Sequence, residues 1–194
     1  HEEKIAKYIA DFAKKRGLEH YTDEYMNVII IKEASAGYEN EAPLILQGHT
    51  DMVCEKERGV EIDFENDSLD IFIDGDFIKA RGTTLGGDDG VAVAYMLALL
   101  DDETLNHPRL ECVFTTAEEV GMDGARGLSA EKLKGKMLLN LDSEEEGEVL
   151  ASCAGGGQVD ISLTVERETE AKNPYKILVS GLLGGHSGTE IDKG

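Results

Sequence analysis

The chain has 194 residues, enough for one sizeable core and part of a second, and a composition of 41% hydrophobic residues with only 3 prolines is that of a globular protein, not a disordered one. Its 40 acidic residues against 19 basic ones leave a net charge of −21, which repels phosphate backbones and anionic lipids and so argues against nucleic-acid or membrane-surface partners. The longest apolar run, Val91–Leu100, is too short to span a bilayer, and no signal peptide is visible. The 3 cysteines, Cys54, Cys112 and Cys153, show no CxxC spacing and read as reduced, mostly buried thiols of a cytoplasmic protein. The absent initiator Met and the stop at Gly194, soon after a glycine-rich turn, suggest a chain cut at both ends.

In chain order, Glu2–Arg16 places Ile5, Tyr8, Ile9, Phe12 and Ala13 at helical spacing, with Gly17 as the stop. Met26–Lys32 reads as a strand, Pro43–Val53 contains another with Leu44–Leu46 as its apolar body, and Ile71–Ala80 reads as a hairpin turning on Asp74–Gly75. A glycine-rich loop then leads to a buried helix over Val91–Leu100, with Asp88 and Asp89 at its mouth. Leu110–Ala117 and Met137–Leu141 complete the central strands. The alternation predicts a three-layer α/β domain with a mostly parallel sheet. Beyond the glycines at 155–157 the texture changes. Val159–Val165 and Tyr175–Val179 alternate like half-exposed strands, which predicts a domain over residues 1–154 and the start of a smaller α+β domain over 155–194.

Three of the apolar strands end in potential ligands: "LILQGHTD" in His49 and Asp51, "LECVFTTAEE" in Glu118 and Glu119, and "MLLNLD" in Asp142. Functional crevices of open α/β sheets lie outside the carboxyl ends of their strands, so parallel strands would bring these side chains to one rim, where Asp88 and Asp89 could join them from a loop. So many acids around an imidazole repel one another unless cations sit among them. Imidazole with carboxylates and no thiolate suits zinc, manganese or cobalt better than calcium, and two ions sharing a bridging carboxylate account for the acids better than one. Alone, Asp88 would read as a helix cap and Glu118–Glu119 as a solvated strand end; their joint placement is what points to chemistry. The "GTTLGGDDG" loop lacks the Lys-Ser/Thr of a phosphate cradle and carries acids that would repel phosphate.

The stretches "GHTDMV", "RGTTLGGDDGVAVAYMLALL", "TTAEEVGMDGARGL", "LNLDSEEEGE" and "GLLGGHSG", in this order, resemble the aminoacylhistidine dipeptidases. These are a branch of the zinc aminopeptidase–carboxypeptidase–aminoacylase metallopeptidases. The resemblance implies a metallodipeptidase whose expected substrates are short peptides in the form of Xaa-His dipeptides, with two divalent ions, zinc or else manganese or cobalt. His49 and Asp142 would hold one ion and Glu119 the other, with Asp88 bridging both, Asp51 orienting His49 and the Asp88–Asp89 peptide cis. Glu118 would be the general base. His186 would be the lid histidine that stabilises the oxyanion, in this superfamily often from the partner subunit of a homodimer. Residues 155–194 would then begin the lid and dimerisation domain.

The same resemblance implies a chain more than twice as long, with a further histidine ligand from a C-terminal segment that no residue after His186 here can supply. Two other readings follow. One keeps the chemistry but acts on N-acyl amino acids, as an amidase or deacylase. The other is a catalytically incomplete metal-binding fragment.

Overall fold

A computed structural model describes residues 2–143, 147–152, 157, 159–166 and 175–181. The first helix, α1 (Glu3–Lys15), buries Ala6, Ile9 and Ala13 along one stripe and sets Lys14 and Lys15 at the negative end of its dipole. It closes where the Gly17 and Leu18 amides donate back to the carbonyls of Lys14 and Ala13, at 3.2 and 3.0 Å. The strands that follow are β1 (Glu19–Thr22), β2 (Val28–Lys32), β3 (Leu44–His49), β4 (Ile71–Asp74) and β5 (Phe77–Ala80). Helix α2 (Gly87–Asp101), β6 (Leu110–Thr115), a short α3 (Asp123–Gly127) and β7 (Met137–Asn140) complete the order.

The main sheet runs β1-β2-β6-β3-β7. Strand β6 is parallel to β3, and β3 to β7, but β1–β2 and β2–β6 are antiparallel. The architecture is therefore mixed α/β, and the expected mostly parallel sheet is corrected. The tight turn between β1, which the sequence reading did not anticipate, and β2 can join only antiparallel neighbours, whereas the passage from β3 to β6 is long enough to carry the crossover helix α2. Five fully buried residues in β2 and six in β6 mark the centre of the fold. On one face Val28, Ile30, Leu46, Cys112 and Phe114 pack with Ala6, Ile9 and Ala13 of α1 and Met96 and Leu100 of α2. On the other, Ile29, Ile31, Ile45 and Val113 meet Tyr21, Leu128 and Leu133.

Helix α2 is not buried all round as its sequence suggested. It touches the sheet through Ala92, Met96 and Leu100, one turn apart, and leaves Val91 53% and Tyr95 62% exposed. Its end is tied down by Lys32, whose buried ammonium donates to the carbonyls of Leu99 (3.1 Å) and Asp102 (2.6 Å) that the helix itself leaves unpaired. Its start lies against β3 at Gly48, where an added Cβ would sit 2.6 Å from both the Ala92 Cβ and Asp89 Oδ2; only glycine permits that approach.

Strands β4 and β5 form a separate hairpin. The pairing of Asp74 with Phe77 makes Gly75–Asp76 the two-residue loop, one position later than the sequence suggested. Val159–Val165 and Tyr175–Val179 form no strand, and Ile161 and Ile177 are 88% and 92% exposed. An alternating segment is stabilised as a strand by cross-strand partners, and among the described residues these segments have none. Cys112 is buried but Cys54 is exposed, which corrects the expectation for that thiol; Cys153 lies outside the described residues. By contacts the chain divides into two units, His1–Glu148, which holds every element above, and Val149–Gly194. Among the described residues no helix is long and apolar enough to cross a membrane.

One buried charge anchors the far end of the sheet. Glu111, wholly buried in β6, accepts from Arg109 Nε at 2.8 Å and from the Lys134 and Gly135 amides at 3.0 Å, while Arg109 also pairs with Glu33. Burial works to raise the Glu111 pKa, but the Arg109 hydrogen bond and the two amides outweigh it and hold the carboxyl below the usual range. A depressed folded pKa stabilises above the unfolded value and ceases to do so as pH falls through the folded one. Glu111→Ala is therefore expected to cost about 3–5 kcal/mol at pH 7 in urea unfolding, a deficit that shrinks on acidification.

Candidate metal centre

The parallel register of β3 and β6 sets His49 beside Thr115, so the segments leaving both strands emerge at one edge. The ladder continues one residue further, with the Thr50 amide and hydroxyl both donating to the Thr115 carbonyl at 2.9 Å. Past it, β6 ends in a sharp change of direction. Ala117 takes a left-handed φ of 53°, and the chain turns back through Glu118–Gly121 instead of running on as a strand. That turn lets two adjacent glutamates serve one site, because they are no longer forced to opposite faces of a sheet.

His49 is buried at the bottom of this edge. Its Nδ1 lies 3.0 Å from the Asp51 carbonyl and 3.4 Å from Asp51 Oδ1; its Nε2 lies 2.8 Å from Asp88 Oδ1 and 4.0 Å from Asp142 Oδ2. Asp51 does a second job. Its two carboxylate oxygens accept the amides of Glu118 and Glu119, each at 3.1 Å, so a single side chain steadies the imidazole and grips the turn that bears both glutamates. Asp142 arrives at the end of β7, which the Leu141 amide fastens to Gln47 of β3 at 3.1 Å.

The Asp88–Asp89 peptide is cis, as the resemblance implies, and the two carboxylates part company there. Asp88 faces His49. Asp89 is buried, and its Oδ2 accepts the His49 backbone amide at 3.2 Å. Asp89, which the sequence allowed to join the ligands from its loop, instead braces the backbone of β3. His186 lies outside the described residues.

The electrostatics follow from the crowding. Burial opposes charge on His49, but hydrogen bonds to Asp51 and Asp88 and the nearby charges of Asp51 and Asp142 prevail, pushing its pKa up to about 10. Burial, with Asp142 adding repulsion against the His49 amide bond, pushes Asp89 up to about 6. Burial and the surrounding acids likewise raise Glu118 and Glu119, His49 opposing in each case. Asp51 is lowered: burial would raise it, but His49 and the two glutamate amides outweigh that.

Two groups of side chains bring a ligand atom each to within 4.8 Å of one another: His49 with Asp88 and Asp142, and His49 with Glu118 and Glu119. A half-open set of carboxylate oxygens around one imidazole fits a divalent cation, which would offset the mutual repulsion of those carboxylates. Sequence reasoning passed over Asn27 at the foot of β2. It is fully buried and bonded to both ends of the glutamate turn, and the only signal was a polar residue directly before "VIII".

Comparison with known proteins finds one family and similar folds. Residues 45–186 match the model of peptidase family M20/M25/M40. Over its whole length the chain is 45% identical to the cytosol non-specific dipeptidase of Escherichia coli, of which it spans 40%. The structure also resembles a crystal structure of aminoacylhistidine dipeptidase from Vibrio alginolyticus, with a TM-score of 0.74 and 44% identity over 76% of this chain and 30% of that one. A likeness in fold extends to the aminopeptidase PepT of Bacillus cereus, with a TM-score of 0.59 and 24% identity over 74% of this chain and 39% of that one.

An imidazole with its pKa raised to about 10 is charged at neutral pH, and the stability it contributes is complete below its ordinary value of 6.5 and lost as pH rises through 10. A cation can bind His49 only by displacing that proton. Zinc added to chelator-treated protein at pH 7 should therefore release at least one proton, read by titration calorimetry in buffers of different ionisation heat. Affinity should also climb with pH. Binding without proton release would remove His49 from the ligands.

Proposed function

The chain belongs to peptidase family M20/M25/M40, and from that premise we propose that it carries most of the metal centre of a dipeptidase. Its substrates are short peptides, Xaa-His dipeptides among them. The observation that carries the reading is the shared role of Asp51, which holds His49 toward Asp88 and Asp142 while fixing the Glu118–Glu119 turn beside them. The two relatives named above as dipeptidases support the reaction class, one named as non-specific and one as acting on aminoacylhistidines. The chain spans less than half of either, so the activity proposed is that of the protein at its natural length. The name of the Escherichia coli relative supports a cytosolic setting.

In this reading His49 and Asp142 would hold one ion and Glu119 a second, with Asp88 available to both. Zinc bound there supplies a Lewis acid for the peptide carbonyl and an acidified water. Glu118 takes the proton of the attacking water at a carboxylate oxygen and delivers it to the departing amine nitrogen. Burial and the neighbouring acids already raise its pKa, the direction a general base working near neutrality needs. Asp51 keeps the Nδ1 side of His49 engaged, leaving Nε2 for the ion. Residues 155–194 begin a lid and dimerisation domain, from which His186 steadies the oxyanion.

In the protein at its natural length, Glu118→Gln is expected to lower kcat by about 10²–10⁴-fold with metal content unchanged; substantial residual turnover would end the assignment of Glu118 as base. Asp88→Asn should instead lose metal and activity together, measured by elemental mass spectrometry beside the assay. Hydrolysis of β-alanyl-His but not of an N-acetyl amino acid is the outcome expected of a dipeptidase, and the reverse would make the enzyme a deacylase.

A further inference from the structure

The Glu118–Glu119 turn is held at its tip by Asp51, but what holds its base is a residue that is not itself among the candidate ligands. Asn27 is fully buried and uses its amide group in three directions. Its Oδ1 accepts the Thr116 amide at 3.2 Å, and its Nδ2 donates to the Gly124 carbonyl at 2.8 Å and to Asp23 Oδ2 at 2.7 Å. Thr116 is the last residue before the turn and Gly124 lies in the first turn of α3, so the two backbone bonds bracket residues 117–123.

The bracket is tight. The Gly124 amide itself donates to the Thr116 carbonyl at 3.2 Å. A Cβ on Gly124 would lie 2.6 Å from Asn27 Oδ1 and 2.7 Å from the Thr116 nitrogen, so no larger residue can stand there without opening the base. Thr116 is tied from its other side, with Oγ1 donating to the Tyr25 carbonyl at 2.6 Å. Asn27 is in turn oriented by Asp23, which accepts its backbone amide at 2.9 Å as well as its side chain.

We propose that Asn27 is a positioning residue for the Glu118–Glu119 turn, fixing the base of residues 117–123 so that Asp51 can hold its tip and the two glutamates keep separate roles. The proposal rests on the function assigned above to Glu118 and Glu119. An asparagine suits the task because it offers a neutral acceptor and two donors on one rigid plane. Replacement by alanine leaves the Thr116 amide and the Gly124 carbonyl without their buried partner, and the loop between them is freed to move.

The test is amide hydrogen exchange together with steady-state kinetics on Asn27→Ala in the zinc-loaded protein at its natural length. Ile9→Ala, a core variant on α1 with no bond to the turn, serves as a control for general destabilisation. The expected result is that exchange at Glu118 and Glu119 accelerates by about tenfold or more beyond the control, while amides of β2 and β6 away from the turn follow it. In parallel kcat falls by about tenfold or more with KM little changed, as a small displacement of a proton-transferring group requires. Exchange at Glu118 and Glu119 equal to that of Ile9→Ala would overturn the proposal, whatever happens to kcat.

Should Asn27→Ala yield too little folded protein, Asp23→Ala, which removes the acceptor of the Asn27 side chain together with that of the Tyr25 and Asn27 backbone amides, is read by the same two measurements and the same control. Glu118→Gln is assayed beside them. If that variant turns over substrate normally, the role of Glu118 fails while the exchange data still judge Asn27; if it is inactive and exchange at the turn is unchanged, only the proposal for Asn27 fails.

Discussion

The structure depends on the parallel register between β3 and β6. With His49 opposite Thr115, the residues leaving the two strands are forced into the same small volume, and Asp51 meets the amides of Glu118 and Glu119 there. A slip of one residue in either strand would send His49 to the opposite face, since side chains alternate along a strand. What prevents the slip is burial on both faces: every residue of β6 is buried, and Leu46 and Ile45 of β3 belong to different core clusters. The core therefore sets the site geometry as much as the stability.

The electrostatics at that edge are deliberately unbalanced. Asp51, Asp88, Glu118, Glu119 and Asp142 surround one imidazole, and burial, with the neighbouring acids adding to it, raises Glu118 and Glu119. Such an arrangement is a poor device for stabilising a fold and a good one for retaining a cation. The contrast with Glu111 is instructive. That carboxylate is more deeply buried, yet Arg109 and two backbone amides hold its pKa below the ordinary range. Glu111 is satisfied by the protein, whereas Glu118 and Glu119 are raised among neighbouring acids.

Backbone bonding to side chains recurs wherever the chain must change direction near the site. Asp89 takes the His49 amide, Asp51 takes those of Glu118 and Glu119, and Asn27 takes that of Thr116. Each replaces a ladder hydrogen bond that the strand can no longer supply once it leaves the sheet. The polar residues behind the ligands thus do for the loops what the strands do for the core.

The sequence by itself supplied the residues that the structure brings together at the candidate site, His186 lying outside the described residues. The ends of three apolar runs delivered His49, Asp51, Glu118, Glu119 and Asp142, and Asp88 stood at a helix mouth, all readable because periodicity marks where strands stop. It also placed the long helices and most strands to within a few residues. It did not reveal that β2 runs antiparallel to β6, that α2 shows one flank to solvent, or that Val159–Val165 and Tyr175–Val179 form no strand, because pairing and exposure depend on neighbours remote in the chain. Nor did the residue pattern, apart from the resemblance, separate Asp88 from Asp89, and nothing in it singled out Asn27. Adjacent, identical carboxylates and a lone asparagine have no pattern of their own, and their roles were decided only when folding set their hydrogen-bond partners around them.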